Sequence, residues 1–218
     1  MNIGVLIPTR GDRAEFLNFA IKQMERQTRK PDIVEVVNDP PVNANKDITW
    51  RYRIGCERIF QKQADIVLLI EDDDWYDSTY IQRVVEEWEK AGKPNIFGIG
   101  ETTYYHLGLK AWNNQKHPTR ASAMSTLITK QGAASMKWPS DNYVFTDIEF
   151  WKQIPGKTCM FERNLSLGIK HGIGLTGGIG HNKHWGGYNQ RDPEMNWLRS
   201  NVDEESFEFY KKISERIK

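Results

Sequence analysis

Asp65-Ile66-Val67-Leu68-Leu69-Ile70-Glu71-Asp72-Asp73-Asp74-Trp75-Tyr76 is the stretch on which the reading of this chain turns. The apolar run Ile66–Ile70 is too short for a helix and has the composition of a buried strand. Carboxylates then follow one another from Glu71 to Asp74 with no spacer. Adjacent carboxylates repel, and crowding them at a strand end is costly unless water or a cation neutralises them. Hard oxygen donors in that position suit Mg²⁺ or Mn²⁺, which would in turn carry the phosphates of a nucleotide. The plain alternative is a solvated acidic turn ahead of the next helix, because acids favour helix N-termini.

Working outward, the same alternation recurs on both sides. Ile3–Ile7 is an apolar run closed by Pro8, Ile33–Val37 is ended by Asn38-Asp39-Pro40-Pro41, and Ile96–Ile99 forms a further short run. Between them lie helical patterns. Phe16, Leu17, Ala20, Ile21 and Met24 mark one, residues 50–62 a second, and Ile81, Val84, Val85 and Trp88 one face of a third over 78–91. Asp12 three residues ahead of Glu15 predicts a capping box at the first helix. Strands alternating with helices predict an α/β chain with a mostly parallel sheet covered on both faces. Ligands of such sheets bind beyond the carboxyl ends of the strands, just after Ile7, Val37 and Ile70.

The second half reads differently. Residues 102–107 and 122–129 are expected strands joined by a polar loop. Thr146 and Glu149 predict a second capping box, opening a helix through Phe150 and Trp151. A glycine-dense loop over 168–187 holds His171, His181 and His184, and a charged helix over 204–217 ends the chain.

Composition narrows the function. Among 218 residues, 30 Lys and Arg face 29 Asp and Glu, so the net charge of +1 argues against a protein that mainly coats polyanions. An apolar fraction of 39% is sufficient for a core, which argues against wholesale disorder. Cys56 and Cys159 are too few for a disulfide scaffold. No run nears the ~20 apolar residues of a membrane span, and the N-terminus lacks a basic leader. The expectation is a cytoplasmic protein with no stable membrane association.

Ile3-Gly4-Val5-Leu6-Ile7-Pro8-Thr9-Arg10, with Val34–Asp39 and the acid-ended strand over 65–76, resembles family 2-type glycosyltransferases of the GT-A fold, short phage-encoded members among them. The resemblance covers residues 1–91 well and later parts only at isolated motifs. It implies a Rossmann-like GT-A domain over 1–218, with a nucleotide-sugar-binding half (1–100), an acceptor and catalytic half (101–200) and a C-terminal helix (201–218). Pro8, Thr9, Arg10, Asp39, Glu71 and Asp72 then fall on donor-binding positions. Asp73 falls on the metal ligand of the DxD motif; a one-residue shift would give that role to Asp74. Phe145-Thr146-Asp147-Ile148-Glu149-Phe150-Trp151 is similar to the segment that supplies the catalytic base of inverting members, which makes Asp147 that base. A helix N-terminus would keep its carboxylate ionised, the form a base requires. A third metal ligand from the glycine-dense loop falls on His181, with His184 second.

Two features depart from the family's pattern: Asn38-Asp39-Pro40-Pro41 replaces an Asp-Asp-Gly-Ser-like strand end, and Asp77-Ser78-Thr79 replaces a proline after the acids. The implied activity is metal-dependent, inverting transfer from a nucleoside-diphosphate sugar, a UDP-sugar first, with Mn²⁺ or Mg²⁺. The acceptor would be a glycan or a hydroxymethylated pyrimidine in phage DNA. A nucleotidyltransferase is the main enzymatic rival, weakened by the single glycine of Pro8-Thr9-Arg10-Gly11-Asp12. A non-catalytic nucleotide- or glycan-binding module of the same fold is the other.

Overall fold

The computed structural model describes residues 1–43, 46–162, 164–173 and 187–217. The first three strands are β1 (Ile3–Pro8), β2 (Ile33–Val37) and β3 (Ile66–Leu69), with helices α1 (Ala14–Glu25) and α2 (Ile48–Gln61) between them. After the short β4 (Trp75–Tyr76) come α3 (Tyr80–Lys90), β5 (Ile96–Ile99), and a hairpin of β6 (Glu101–His106) and β7 (Ala111–Lys116). A 3₁₀ turn (Ala123–Ser125) leads into β8 (Thr126–Thr129). Then follow α4 (Lys130–Ser135), α5 (Thr146–Gln153), β9 (Lys157–Met160), β10 (Ser166–Lys170), β11 (Gln190–Arg191), α6 (Asn196–Asn201) and α7 (Glu204–Arg216).

These strands form two sheets. The larger runs β2-β1-β3-β8-β5-β9, and the smaller β11-β7-β6-β10-β4. In the larger sheet β2, β1 and β3 are parallel, β8 is reversed between β3 and β5, and β9 runs with β5. The α/β architecture of the GT-A kind is therefore present, with one antiparallel strand interrupting the parallel set.

Side-chain alternation explains why its strands are apolar throughout. Val5, Ile7, Ile66 and Leu68 pack on one face with Ile81, Val84, Val85 and Trp88 of α3. Leu6, Val67 and Leu69 pack on the other with Tyr52, Cys56 and Ile59 of α2 and Phe150 and Trp151 of α5. Each such side chain contributes about 1.5–3 kcal/mol by burial. Gly55 lets α2 approach closely, since a Cβ there would lie 2.1 Å from Leu6 Cδ1. A third cluster joins Phe16 and Phe19 of α1, Leu167 and Ile169 of β10, and Phe207, Tyr210 and Ile213 of α7.

Neither expected capping box forms. α1 begins at Ala14 with Arg13 at its N-cap and no side-chain cap, because a guanidinium has no acceptor for a backbone N–H. α5 begins at Thr146 itself, whose hydroxyl meets that of Thr49, while Glu149 bonds Lys152 and Gln153. The expected polar loop after β6 is strand β7, paired with β6 over its full length. The expected glycine-dense loop starts inside β10. Gly168 lies under the Tyr104 ring, where a Cβ would come within 2.4 Å, so this glycine serves packing between strands.

Candidate active site

The parallel arrangement brings the ends of β1, β2 and β3 to one edge. The Thr9 N–H donates to the Val37 carbonyl (3.1 Å) and the Ile70 N–H to the Leu6 carbonyl (2.9 Å), which carries the ladder one residue beyond each strand. The chain then turns through Glu71–Asp74 and enters β4, which pairs with β10 of the other sheet. The acid run is thus the link between the two sheets, and its backbone is pinned from several sides. The Glu71 N–H donates to the Tyr76 hydroxyl (2.9 Å), and Gln23 Nε2 of α1 donates to the Asp74 carbonyl (2.9 Å). Gln23 Oε1 accepts from the Tyr76 N–H (2.7 Å).

The four carboxylates have unequal surroundings. Asp72 accepts from the Thr9 hydroxyl (2.8 Å) and from Arg13 Nη2 (2.6 Å). Asp73 Oδ2 accepts from Arg13 Nη1 (2.7 Å) and His171 Nε2 (2.9 Å). Asp74 Oδ1 accepts from the Ile169 N–H (2.7 Å), whereas its buried Oδ2 has no hydrogen-bond partner among the described residues. Burial raises Asp74 well above the ordinary carboxylate range, and the charges of Glu71 and Asp73 add to it. Burial likewise raises Glu71, with Asp73 and Asp147 adding repulsion. Asp72 is pushed up to about 7 by burial and by Asp73, which together outweigh Arg13. Asp73 goes the other way. Burial opposes its charge, but the His171 hydrogen bond and the Arg13 guanidinium hold it well below the usual range.

Lys170, at the end of β10, supplies a further positive charge. Its ammonium lies 5.2 Å from the centroid of the Tyr104 ring. Burial works against that charge, yet Asp74, Glu71 and Asp73 raise its pKa.

A divalent cation fits this donor set. Glu71, Asp73 and Asp74 each offer a carboxylate oxygen, all within 4.8 Å of one another, and the orphaned Asp74 oxygen is the sort of group a cation satisfies. This grouping takes in both registers of the acid motif. His181 and His184 lie outside the described residues. His171 of the same segment is the histidine that reaches Asp73.

Other sequence-derived positions sort differently. Pro8 closes β1, and Thr9 turns its hydroxyl to Asp72. Arg10 Nη1 bonds Asp47 (3.1 Å), and Asp39 forms a two-pronged pair with Arg58 at 2.8 Å on each prong. The hydrogen bonds from Arg58 lower Asp39 despite slight burial. Asp147, in the first turn of α5, lies 3.5 Å from Arg120 Nη1. The helix N-terminus does not settle its charge as expected: burial raises its pKa, and Arg120 only partly offsets this. The charge of Asp147 also adds to the rise at Glu71. Tyr105 is buried with its hydroxyl on Asp192 (3.0 Å), and Trp112 stacks on Trp197 (4.4 Å).

Arg13 and Lys170 neighbour the acids without having been singled out in the sequence, whereas His171 is one of the three loop histidines read there, with His181 preferred as ligand. The contacts of all three with the acids span long separations, and no local spacing announces them.

No protein-family model and no curated protein sequence matches the chain. Solved structures do. Residues 1–349 of S. aureus TarS in complex with UDP-GlcNAc align with a TM-score of 0.51 at 9% identity, over 78% of this chain and 59% of that one. The UDP complex of the same fragment gives 0.52 at 7% identity, over 78% and 60%. The fold is similar to that of TarS. The chain spans about three fifths of that fragment's length. A197 from STIV aligns at 0.47 and 12% identity, over 74% of this chain and 82% of that one. A glycosyltransferase involved in glycosylation of the PBCV-1 major capsid aligns at 0.44 and 9%, over 74% and 83%. Among the described residues no helix is long and apolar enough to cross a membrane.

Proposed function

We propose that this chain is a metal-dependent, inverting glycosyltransferase that takes a nucleoside-diphosphate sugar, a UDP-sugar first, and passes the sugar to an acceptor hydroxyl. The observation that carries the reading is the acid run at the carboxyl edge of the sheet, where the buried Asp74 Oδ2 has no partner among the described residues. The likeness to TarS supports the donor class, because that fold holds UDP-GlcNAc and UDP in its own structures.

In this reading Glu71, Asp73 and Asp74 hold Mn²⁺ or Mg²⁺, with His181 or His184 as a further ligand. When bound, the metal neutralises charge on the departing diphosphate. Thr9, Arg10, Asp39 and Asp72 border the nucleoside. Asp147 takes the proton of the acceptor hydroxyl as its oxygen bonds to the anomeric carbon. The bond from that carbon to the diphosphate breaks, and its electron pair leaves with the nucleotide. A pKa raised by burial makes Asp147 a stronger base than an exposed carboxylate, provided it is deprotonated at the working pH. The balanced net charge favours a glycan over duplex DNA as acceptor, since DNA binding rests on phosphate neutralisation.

The test is an Asp147→Asn variant assayed for sugar transfer over a panel of acceptors, glycans and hydroxymethylated DNA included. Transfer falls by about 10²–10⁴-fold while donor affinity stays within about twofold. Normal turnover by the variant removes Asp147 as the base. Donor binding without transfer to any acceptor by the wild type points to the binding module.

A further inference from the structure

Arg13 stands where an added cation would compete. Its Nη2 lies 2.6 Å from Asp72 Oδ1 and its Nη1 2.7 Å from Asp73 Oδ2, so one guanidinium bridges two adjacent acids. Nη1 also approaches the Ile173 carbonyl at 3.3 Å. His171 completes the arrangement. The Ile173 N–H donates to its Nδ1 (3.0 Å), which leaves the ring proton on Nε2, directed at Asp73 Oδ2 at 2.9 Å.

Asp73 Oδ2 therefore carries two N–H donors, and a carboxylate oxygen has two lone-pair sites. Asp74 Oδ2, a neighbour in the same donor set, carries none among the described residues. A divalent ion drawing on Asp73 and Asp74 would meet one carboxylate with an open oxygen and one whose charge Arg13 and His171 already share. The engaging group is able to leave. Arg13 is the non-helical N-cap of α1, with φ −128° and ψ 57°, and its side chain keeps 20% of its surface in solvent. Swinging the guanidinium away does not require α1 to unwind.

We propose that Arg13 is the resident counter-cation of the acid run, displaced from Asp73 when a divalent ion binds, and that its charge sets the metal affinity of the site. This rests on the reading above that the acid run takes a divalent metal. Without metal, Arg13 keeps Asp72 and Asp73 together. With metal, two cations would crowd one carboxylate, and their repulsion weakens binding.

The test uses Mn²⁺ alone with the full chain, following the free-ion signal by electron paramagnetic resonance. Arg13→Gln binds Mn²⁺ about tenfold more tightly than the wild type, since a neighbouring positive charge has been removed. Arg13→Lys, which keeps the charge, stays within about threefold of the wild type. Equal or weaker binding by Arg13→Gln, with the wild type binding normally, overturns the proposal and leaves the metal site standing. Failure of both proteins to bind Mn²⁺ overturns the metal reading and this inference together. Should Arg13→Gln not fold, nitrogen-detected NMR of the wild-type guanidinium gives the same answer. Saturating Mg²⁺ should speed exchange of the Arg13 Nη protons with water, and unchanged exchange refutes displacement.

Discussion

The acids around β2 and the acids after β3 lie along one sheet edge, yet their charge is met very differently. In and after β2, Glu35, Asp39 and Asp47 face Arg10, Arg51, Arg58 and Lys62. Lys62 is 2.6 Å from Glu35, Arg58 grips Asp39 at 2.8 Å, and Arg51 and Arg10 hold Asp47 at 2.8 and 3.1 Å. After β3, Glu71, Asp72, Asp73 and Asp74 meet Arg13 and Lys170, with His171 on Asp73 and Asp147 adding repulsion to Glu71, and Asp74 Oδ2 goes unpartnered among the described residues. The first group is closed within the protein and holds the loop after β2 to α2. The second retains a deficit of positive charge that a bound cation would meet. Both look acidic in sequence; the placement of the basic partners is what separates them.

The largest expected effect separates the groups by metal response. Asp74→Asn should abolish the rise in melting temperature that Mn²⁺ adds to donor binding, roughly 5–10 °C near saturation. Asp39→Asn should keep the metal-dependent part of that rise, as read by differential scanning fluorimetry with Mn²⁺ or EDTA. Loss in both variants would erase the distinction. Next in size is the buried Arg51, whose Nη atoms serve the Val37 and Asp39 carbonyls and Asp47. Arg51→Met should cost about 3–5 kcal/mol in urea unfolding, because it leaves a buried carboxylate with less than its full complement of partners. A loss under 1 kcal/mol would show that the β2 acids are not held as described.

The smallest effect is one of sign with pH. Asp39 has a folded pKa below its unfolded value, so its contribution is present above about pH 4 and fades as pH falls through the lower folded value. Asp39→Asn should therefore cost up to about 1 kcal/mol at pH 7, given its exposed pair, and little near pH 2. Asp72 has a raised folded pKa of about 7, so its carboxyl costs the fold nothing below about pH 4, and the penalty builds from there to about pH 7 and is constant above. In EDTA, Asp72→Asn should gain stability relative to the wild type between pH 5 and pH 8. Parallel pH profiles for the two variants would contradict the comparison.

Much of the fold was legible because burial on both faces leaves a direct mark. β2 and β5 match the apolar runs read from sequence, and Trp88 sits in the core with its indole N–H on the Pro94 carbonyl (2.9 Å). β7 was not legible. Ala-Trp-Asn-Asn-Gln-Lys has too little apolar alternation, and the strand forms because β6 hydrogen-bonds it along its length. β10 was hidden by Gly168, whose missing side chain accommodates Tyr104. At the candidate site, the acid run is visible as adjacent residues, and Asp147 stands out only through the resemblance. Arg13 could not be read there, because its contacts with Asp72 and Asp73 span 59 and 60 residues. Nor could the Arg58–Asp39 pair, which forms only once α2 packs beside β2.

On the proposed function, the acid run holds a divalent ion together with a nucleoside-diphosphate sugar. The most direct test is the melting temperature of the wild-type chain with UDP-GlcNAc, measured with Mn²⁺ and again with EDTA. The account predicts a rise with Mn²⁺ that EDTA removes. No rise with UDP-GlcNAc or any other nucleotide sugar, with or without Mn²⁺, would contradict it.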